Sequence, residues 1–307
     1  MREIPFVTVD VFTNSAFTGN PLAVITDGRS LSSGEMQQIA REFNFSETTF
    51  VLPPKDPSNT AHVRIFDPAN ELPFAGHPNV GTGYVVAQAR ELFGKPVGDA
   101  LRFEEVVGIV PLTAIRENNE LRGIRFRVPG SLEILESITV EHVAACIGLD
   151  INSIVTANHE PLRASVGLPF AFAEVDSLES LAIATPDTGA FAKANRAYPS
   201  DIDMFALFIY VRTSADPLTL QARMFAPLSN IPEDPATGSA SAALGALLVS
   251  LEDAPDVERP IVINQGVEMG RPSRIQLEVA KRSGIVTDVF VSGNCALVTR
   301  GTLSLQD

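Results

Sequence analysis

Residues 64–89 read RIFDPANELPFAGHPNVGTGYVVAQA, and residues 223–251 read RMFAPLSNIPEDPATGSASAALGALLVSL. Arg64, Phe66, Pro68 and Pro73 of the first stretch return as Arg223, Phe225, Pro227 and Pro232 of the second, each 159 residues later (223 − 64). In both, a run of β-favouring residues passes through a proline-bounded loop into a glycine-rich turn. An uncharged segment follows, His77–Ala89 in one copy and Thr237–Leu251 in the other. A helix that is small or apolar on every face has to be buried on every face. Two such helices, each behind the same strand and loop, predict two similar halves, each a sheet wrapped around its own central helix. The expected class is α/β (α+β), with the boundary near Glu117–Glu120.

Outward from the repeat, short runs rich in branched and aromatic residues predict strands: Phe6–Phe12, Leu22–Ile25, Thr48–Leu52, His62–Phe66, Ile124–Val128, Phe205–Val211, Leu218–Phe225, Ile275–Val279 and Ile285–Val291. A surface helix is expected after Ser32. Ser32 and Glu35 form a capping box, and Met36, Ile39, Ala40 and Phe43 make one apolar stripe. A second helix is expected over Thr139–Ile147.

Length and composition bound the function. At 307 residues the chain is about twice a usual domain. Its net charge of −14 repels phosphate backbones, so no nucleic-acid surface and no basic membrane anchor are expected. Leu72–Ala89 and Pro235–Leu251 are long uncharged runs, but proline, glycine and serine interrupt both, and neither reads as a membrane span. Two cysteines, Cys146 and Cys295, fit a reducing cytoplasm, and the N-terminal MREIPFVTVD has no signal-peptide core. A soluble cytoplasmic protein is expected.

Three places could carry chemistry. Glu47, in Phe45–Val51, stands at a helix-to-strand junction beside aromatic residues, where partial burial raises a carboxyl toward the range of a general base. An exposed loop glutamate is the plainer alternative, because the chain has 37 acidic residues. Gly76-His77-Pro78 opens the first uncharged helix: the glycine admits a ligand to the backbone, the helix start attracts an anion, and the imidazole can share a proton. A structural histidine stands level with that reading. Where Thr237, Gly238 and Ser239 open the second helix, backbone N–H groups and the Thr237 and Ser239 hydroxyls read as another anion cradle with Asp234 beside it, and helix capping by Asp234 or Thr237 is the alternative. His62, His142 and His159 have no comparable setting. No spacing suggests a metal site, the lysine of a phosphate loop is replaced by Thr82, and no nucleotide, flavin or other cofactor is called for.

Several longer blocks resemble the PhzF-like phenazine-biosynthesis isomerase family, within the diaminopimelate-epimerase-like superfamily. They are Asp10–Phe12, Gly19–Val24, Phe45–Val51, Asn70–Pro78, Glu233–Ala240, Gln265–Ser273 and Val291–Asn294. The resemblance implies two pseudo-symmetric α/β halves, a cleft between them that holds the site, and a homodimer working without a cofactor. It assigns proton transfer between two carbons of trans-2,3-dihydro-3-hydroxyanthranilate to Glu47. It gives His77, Asp234 and Ser239 parts in assisting and holding the substrate, and makes Gly76 a backbone contact. It also implies that the chain returns to the first half after about Val289. The halves become 1–118 with about 290–307, and 119–289. The alternation of Val289, Val291, Ala296 and Val298 reads as paired strands.

The thiol-dependent epimerases and racemases of this superfamily place a cysteine at each glycine-rich helix start. Here those positions read Ala75-Gly76-His77 and Ala236-Thr237-Gly238. The leading expectation is therefore a cofactor-independent isomerase of a small carboxylated metabolite, moving a proton on one face. An amino- or hydroxy-acid epimerase using Glu47 with His77 or Asp234 is the alternative, and a non-catalytic binding protein on the same fold is a third.

Overall fold

Two ladders of strands, each built around one of the uncharged segments, make up the computed structural model, which describes residues 1–89 and 91–306. The chain divides into one unit of Met1–Arg127 with Ser292–Asp307 and another of Val128–Val291. Asp307 lies outside the described residues.

In the first unit, β1 (Arg2–Val11) is antiparallel to β2 (Asn20–Ile25), and β2 runs parallel to β3 (Thr48–Leu52). The crossover between them is α1 (Ser33–Phe43). β3 is antiparallel to β4 (Ala61–Phe66), which carries the short β5 (Glu71–Leu72) at its end. Then come α2 (Gly76–Gln88) and the small hairpin of β6 (Glu91–Leu92) and β7 (Lys95–Pro96). β8 (Ala100–Glu105) returns parallel to β4, with β9 (Gly108–Glu117) and β10 (Glu120–Arg127) as successive antiparallel neighbours. Residues 295–305 pair antiparallel with β1, and β10 pairs with the same terminal strand, so the ladder closes on itself around α2.

The second unit contains β11 (Glu133–Ser137), α3 (Val140–Ile147), β12 (Ile154–Val155), β13 (Leu162–Ser165) and β14 (Pro169–Val175). It continues with α4 (Leu178–Ile183), α5 (Thr188–Ala197), β15 (Leu207–Ala215), β16 (Leu218–Ala226) and β17 (Ile231–Asp234). After α6 (Gly238–Ser250) come β18 (Val257–Gln265), β19 (Ser273–Arg282) and the long β20 (Ile285–Leu305), within which the boundary between the units falls. The pairing senses repeat those of the first unit. β13–β14 is antiparallel, β14–β15 parallel, β15–β16 antiparallel, β16–β18 parallel and β18–β19 antiparallel, with β17 on the end of β16. The sequence repeat is thus a repeat of topology, with α6 in the place of α2.

Composition explains why these two helices sit inside. All but two residues of α2 and all but two of α6 are buried. Burial of Leu244, Leu247, Leu248 and Val249 of α6 stabilises by about 2 kcal/mol each. Small residues let the strands close in: a Cβ on Gly81 would lie 2.5 Å from Leu22 and 2.8 Å from Val11, and one on Gly245 would lie 2.7 Å from Leu277. α1, by contrast, buries one stripe, Met36, Ile39 and Ala40, against Ile4, Ile25, Phe50 and Phe66. Its Ser32 hydroxyl accepts from Glu35 N while Glu35 Oε2 accepts from Ser32 N at 2.7 Å, and Asn44 ends it in the left-handed region. Among the described residues no helix is long and apolar enough to cross a membrane.

The expected boundary at Glu117–Glu120 needs correction. Asn118 and Asn119 there, with φ of 50° and 67°, form the tight turn of the β9–β10 hairpin. Polar turn residues look alike in a hairpin and in a linker, and pairing with β9 keeps Glu120–Arg127 in the first unit, where the sequence reading had placed it in the second. Helices α4 and α5 were also unannounced, since short elements packed on a sheet through single residues such as Leu181 and Phe191 carry little periodicity.

Tight packing inside the ladder gives an expected outcome. Gly81→Val lowers stability by about 2 kcal/mol, because the helix interior has no room for the branched side chain. Gly34→Ala, on exposed α1 where nothing lies within 4 Å, raises it by about 0.5 kcal/mol. Urea unfolding midpoints check both, and equal effects at the two sites would contradict the packing account.

Candidate active site

Glu47 lies on the short connection from α1 to β3, just past the left-handed Asn44. Two residues on, the Thr49 hydroxyl meets that of Thr82 on α2 at 2.7 Å, so the strand that begins behind Glu47 is tied to the buried helix. His77 is the second residue of α2 and is 5% exposed. Its Nε2 stands 3.4 Å from Glu47 Oε2, and the Glu47 side chain keeps 17% of its surface accessible. The exposed-loop alternative for Glu47 therefore fails.

On the other side of the ring, Asn20 Nδ2 stands 3.5 Å from His77 Nδ1. An amide N–H directed at Nδ1 leaves the ring proton on Nε2, facing the carboxylate. Burial holds the imidazole down at about 3, so His77 is neutral at ordinary pH. The contact with Glu47 is a neutral imidazole beside a carboxyl group, not an ion pair. Ala75 at the start of α2 offers no side-chain cap, and the first turn holds no acidic residue. The Gly76–His77 end therefore carries the partial positive charge of a helix start, uncompensated by any side chain of its own.

The second unit holds the other candidates. Asp234 ends β17 and is 6% exposed. Thr237 donates its hydroxyl to Asp234 Oδ2 at 2.5 Å. Gln265, fully buried at the end of β18, accepts from Thr237 N at 3.0 Å and donates to Asp234 O at 2.7 Å. The Thr237 hydroxyl does not cap α6, so capping by that residue fails. The Thr237 hydroxyl holds the aspartate in place, a different part from the anion cradle expected of it. Gly238 and the partly exposed Ser239 open α6 as Gly76 and His77 open α2. Gln265 escaped the sequence reading as a site residue, since nothing in a strand ending marks a glutamine as the brace of a loop 28 residues away.

The repeat has a further meaning in both units. Arg64 of β4 forks onto Glu71 at 2.7 and 2.6 Å with its guanidinium 5.0 Å above the Phe66 ring. Arg223 of β16 forks onto Glu233 at 2.8 Å twice and lies 4.8 Å above Phe225. Each clamp closes the loop that leads into a buried helix, and Glu233 adjoins Asp234. The repeated arginines and phenylalanines were visible in the sequence; their acidic partners sit at unequal spacings and were not.

Thiol chemistry has no place in either group. Cys146 is fully buried in α3 with its thiol pushed up to about 12, and burial also raises Cys295 in β20. Among the described residues no three His, Cys, Asp or Glu side chains gather to hold a metal ion.

Residues 9–301 match the family described as phenazine biosynthesis-like protein. An uncharacterised isomerase of Mesorhizobium japonicum is 34% identical over 99% of this chain and 99% of its own. The trans-2,3-dihydro-3-hydroxyanthranilate isomerase of Pseudomonas chlororaphis is also 34% identical, over 98% of this chain and 99% of its own. Among solved structures, the PhzF-family phenazine biosynthesis protein of Bacillus anthracis superposes with a TM-score of 0.84 at 24% identity, covering 99% of this chain and all of that one. That last likeness is one of fold, the diaminopimelate-epimerase-like architecture.

The state of His77 can be checked through stability. Its folded-state pKa of about 3 lies below the ordinary 6.5, so the unfolded chain takes up a proton that the folded chain refuses. Stability from this group is complete above about pH 6.5 and declines as the pH falls toward 3. Denaturation midpoints measured between pH 7 and 4 should drop less steeply in His77→Asn than in the wild type. Parallel curves would mean that His77 titrates normally.

Proposed function

Because the chain belongs to the phenazine biosynthesis-like (PhzF) family and is an isomerase, we propose that it shifts a proton between two carbons of a small, cyclic, carboxylated metabolite without a cofactor. The observation that carries this reading is the Glu47–His77 pair at the uncapped start of α2. Glu47 removes an activated C–H proton, negative charge spreads into the conjugated system, and the same carboxyl group returns the proton to another carbon on the same face. His77, through Nε2–H, orients the carboxylate and stays neutral throughout. The backbone at Gly76 and His77 receives the substrate carboxylate. Asp234 and Ser239, with Thr237 and Gly238, are the further residues assigned to holding polar groups of a substrate.

Trans-2,3-dihydro-3-hydroxyanthranilate, the substrate named for the Pseudomonas relatives, is the first compound to try. The same reading carries a cytoplasmic homodimer. An epimerase needs a second base on the opposite face. An imidazole held near 3 is too weak a base for that task, which leaves only Asp234 for it.

With that substrate, Glu47→Gln should keep its fold and its affinity for 3-hydroxyanthranilate, used as a carboxylate probe, while turnover drops ~10²–10⁴-fold. Turnover in heavy water should give partial deuterium incorporation, since one carboxyl group shuttles the proton inside a closed site. Dialysis against EDTA should leave the rate unchanged. Full deuterium incorporation with inversion at a chiral carbon would favour the two-base epimerase. An active Glu47→Gln protein would remove the proposed base.

A further inference from the structure

The turn joining β8 to β9 reads Glu105-Val106-Val107-Gly108, and it is folded against expectation. Val106 and Val107 stand in solvent, 70% and 49% exposed, while Glu105 is 9% exposed. An acid is inside and two aliphatic residues are outside, an arrangement that hydrophobic burial alone would reverse. Val107 N donates to Pro73 O at 3.2 Å, which fastens this turn to the loop entering α2. The side chain that meets Glu105 belongs to Asn79, in the first turn of α2 and two residues past His77.

Hydrogen-bond accounting defines the state of this contact. The Asn79 amide nitrogen donates to Ala75 O at 3.1 Å, which fixes the amide's orientation. Asn79 Oδ1 and both carboxyl oxygens of Glu105 are buried, and none of the three has a hydrogen-bond partner. If Glu105 were ionised, all three would be acceptors with no donor among them, and a charge would be buried without a counterion. One proton on the carboxyl group supplies the missing donor and removes the charge.

We propose that Glu105 is carried as a neutral carboxylic acid against the Asn79 side chain, and that it is a positioning residue for the helical turn bearing His77. The inference rests on His77 belonging to the site, as read above. The chain of contacts runs from the β8–β9 turn through Glu105 and Asn79 to Ala75 O, the carbonyl at the start of α2. Burial pushes the Glu105 carboxyl up to about 8, opposed only by Asn79, and no charged side chain contributes. The adjacent Glu104 does not share this setting: it accepts from Lys55 N and Asp56 N at 2.7 Å and from Asn59 Nδ2 at 2.9 Å. β9 contributes Gly108 opposite Glu105, with no side chain to titrate.

The consequence is a dependence on alkaline pH. Folded Glu105 keeps its proton where the unfolded chain has lost it, so its share of stability is complete below about pH 4.5 and lost as the pH rises through about 8. The test is carbon-detected NMR on the full chain labelled at glutamate carboxyls, with the His77 ring nitrogens and the Asn79 side-chain amide observed in the same titration. One carboxyl signal should titrate near pH 8 and vanish in Glu105→Gln, and the His77 and Asn79 signals should move with that midpoint in the wild type only. Glu105→Gln retains a neutral N–H donor and should unfold at the wild-type temperature at pH 4 and above it at pH 7, whereas Glu105→Ala should unfold earlier than wild type at pH 4. The proposal is overturned if every glutamate titrates below pH 6, or if the high signal is found while His77 does not respond. None of these readouts uses a substrate, so inactivity toward trans-2,3-dihydro-3-hydroxyanthranilate would count against the proposed function and leave this result standing.

Discussion

A helix enclosed by a strand ladder has no side facing water, and the rest of each unit answers to that constraint. Charged side chains are excluded along its length. Glycines such as Gly81 and Gly245 admit the strand side chains, and the backbone bonds of the helix satisfy its own interior. The ends are different. At the start of α2 the first N–H groups lack partners of the helical type, and no side chain of that turn supplies one. Polarity therefore gathers there, in surroundings that favour neutral forms. His77 gives up its proton and Glu105 keeps one, two opposite responses to the same lack of water. The buried cysteines follow the same rule, whereas the Glu47 carboxyl group keeps some access to solvent.

Around these helix starts the scaffold is held by paired charges. Both arginine–glutamate clamps sit over a phenylalanine two residues along the same strand, and each closes the loop that precedes a central helix. Arg223 goes further than Arg64, donating also to the carbonyls of Leu181, Ala182 and Ala184. Removing one member of so buried a pair would strand the other charge, a cost of about 3–5 kcal/mol. On this common frame the two units differ in what they present. The first brings a glutamate from a separate loop to a histidine at the second helical position. The second places an aspartate before its helix and a serine at the matching position, with Thr237 and Gln265 fixing the aspartate. A shared fold with different groups at corresponding helix starts is how one architecture hosts unlike chemistry.

Much of this was determined by the sequence alone. The absence of charge over His77–Ala89 and Thr237–Leu251 required burial, the spacing of Arg64 and Phe66 against Arg223 and Phe225 required repetition, and Ser32 with Glu35 required a helix start. These are local or periodic signals, and they act through burial and capping wherever the chain is placed. Tertiary structure decided what depends on partners distant in sequence. A turn and a linker share their polar residues, so only pairing of β9 with β10 could assign Glu120–Arg127. Whether Glu47 stood free in a loop or against another polar side chain was decided by His77, 30 positions away, at 3.4 Å. Gln265 and Glu105 were legible only once folded, because their significance lies in which buried atoms they meet, and burial of a polar side chain is a property of the assembled ladder.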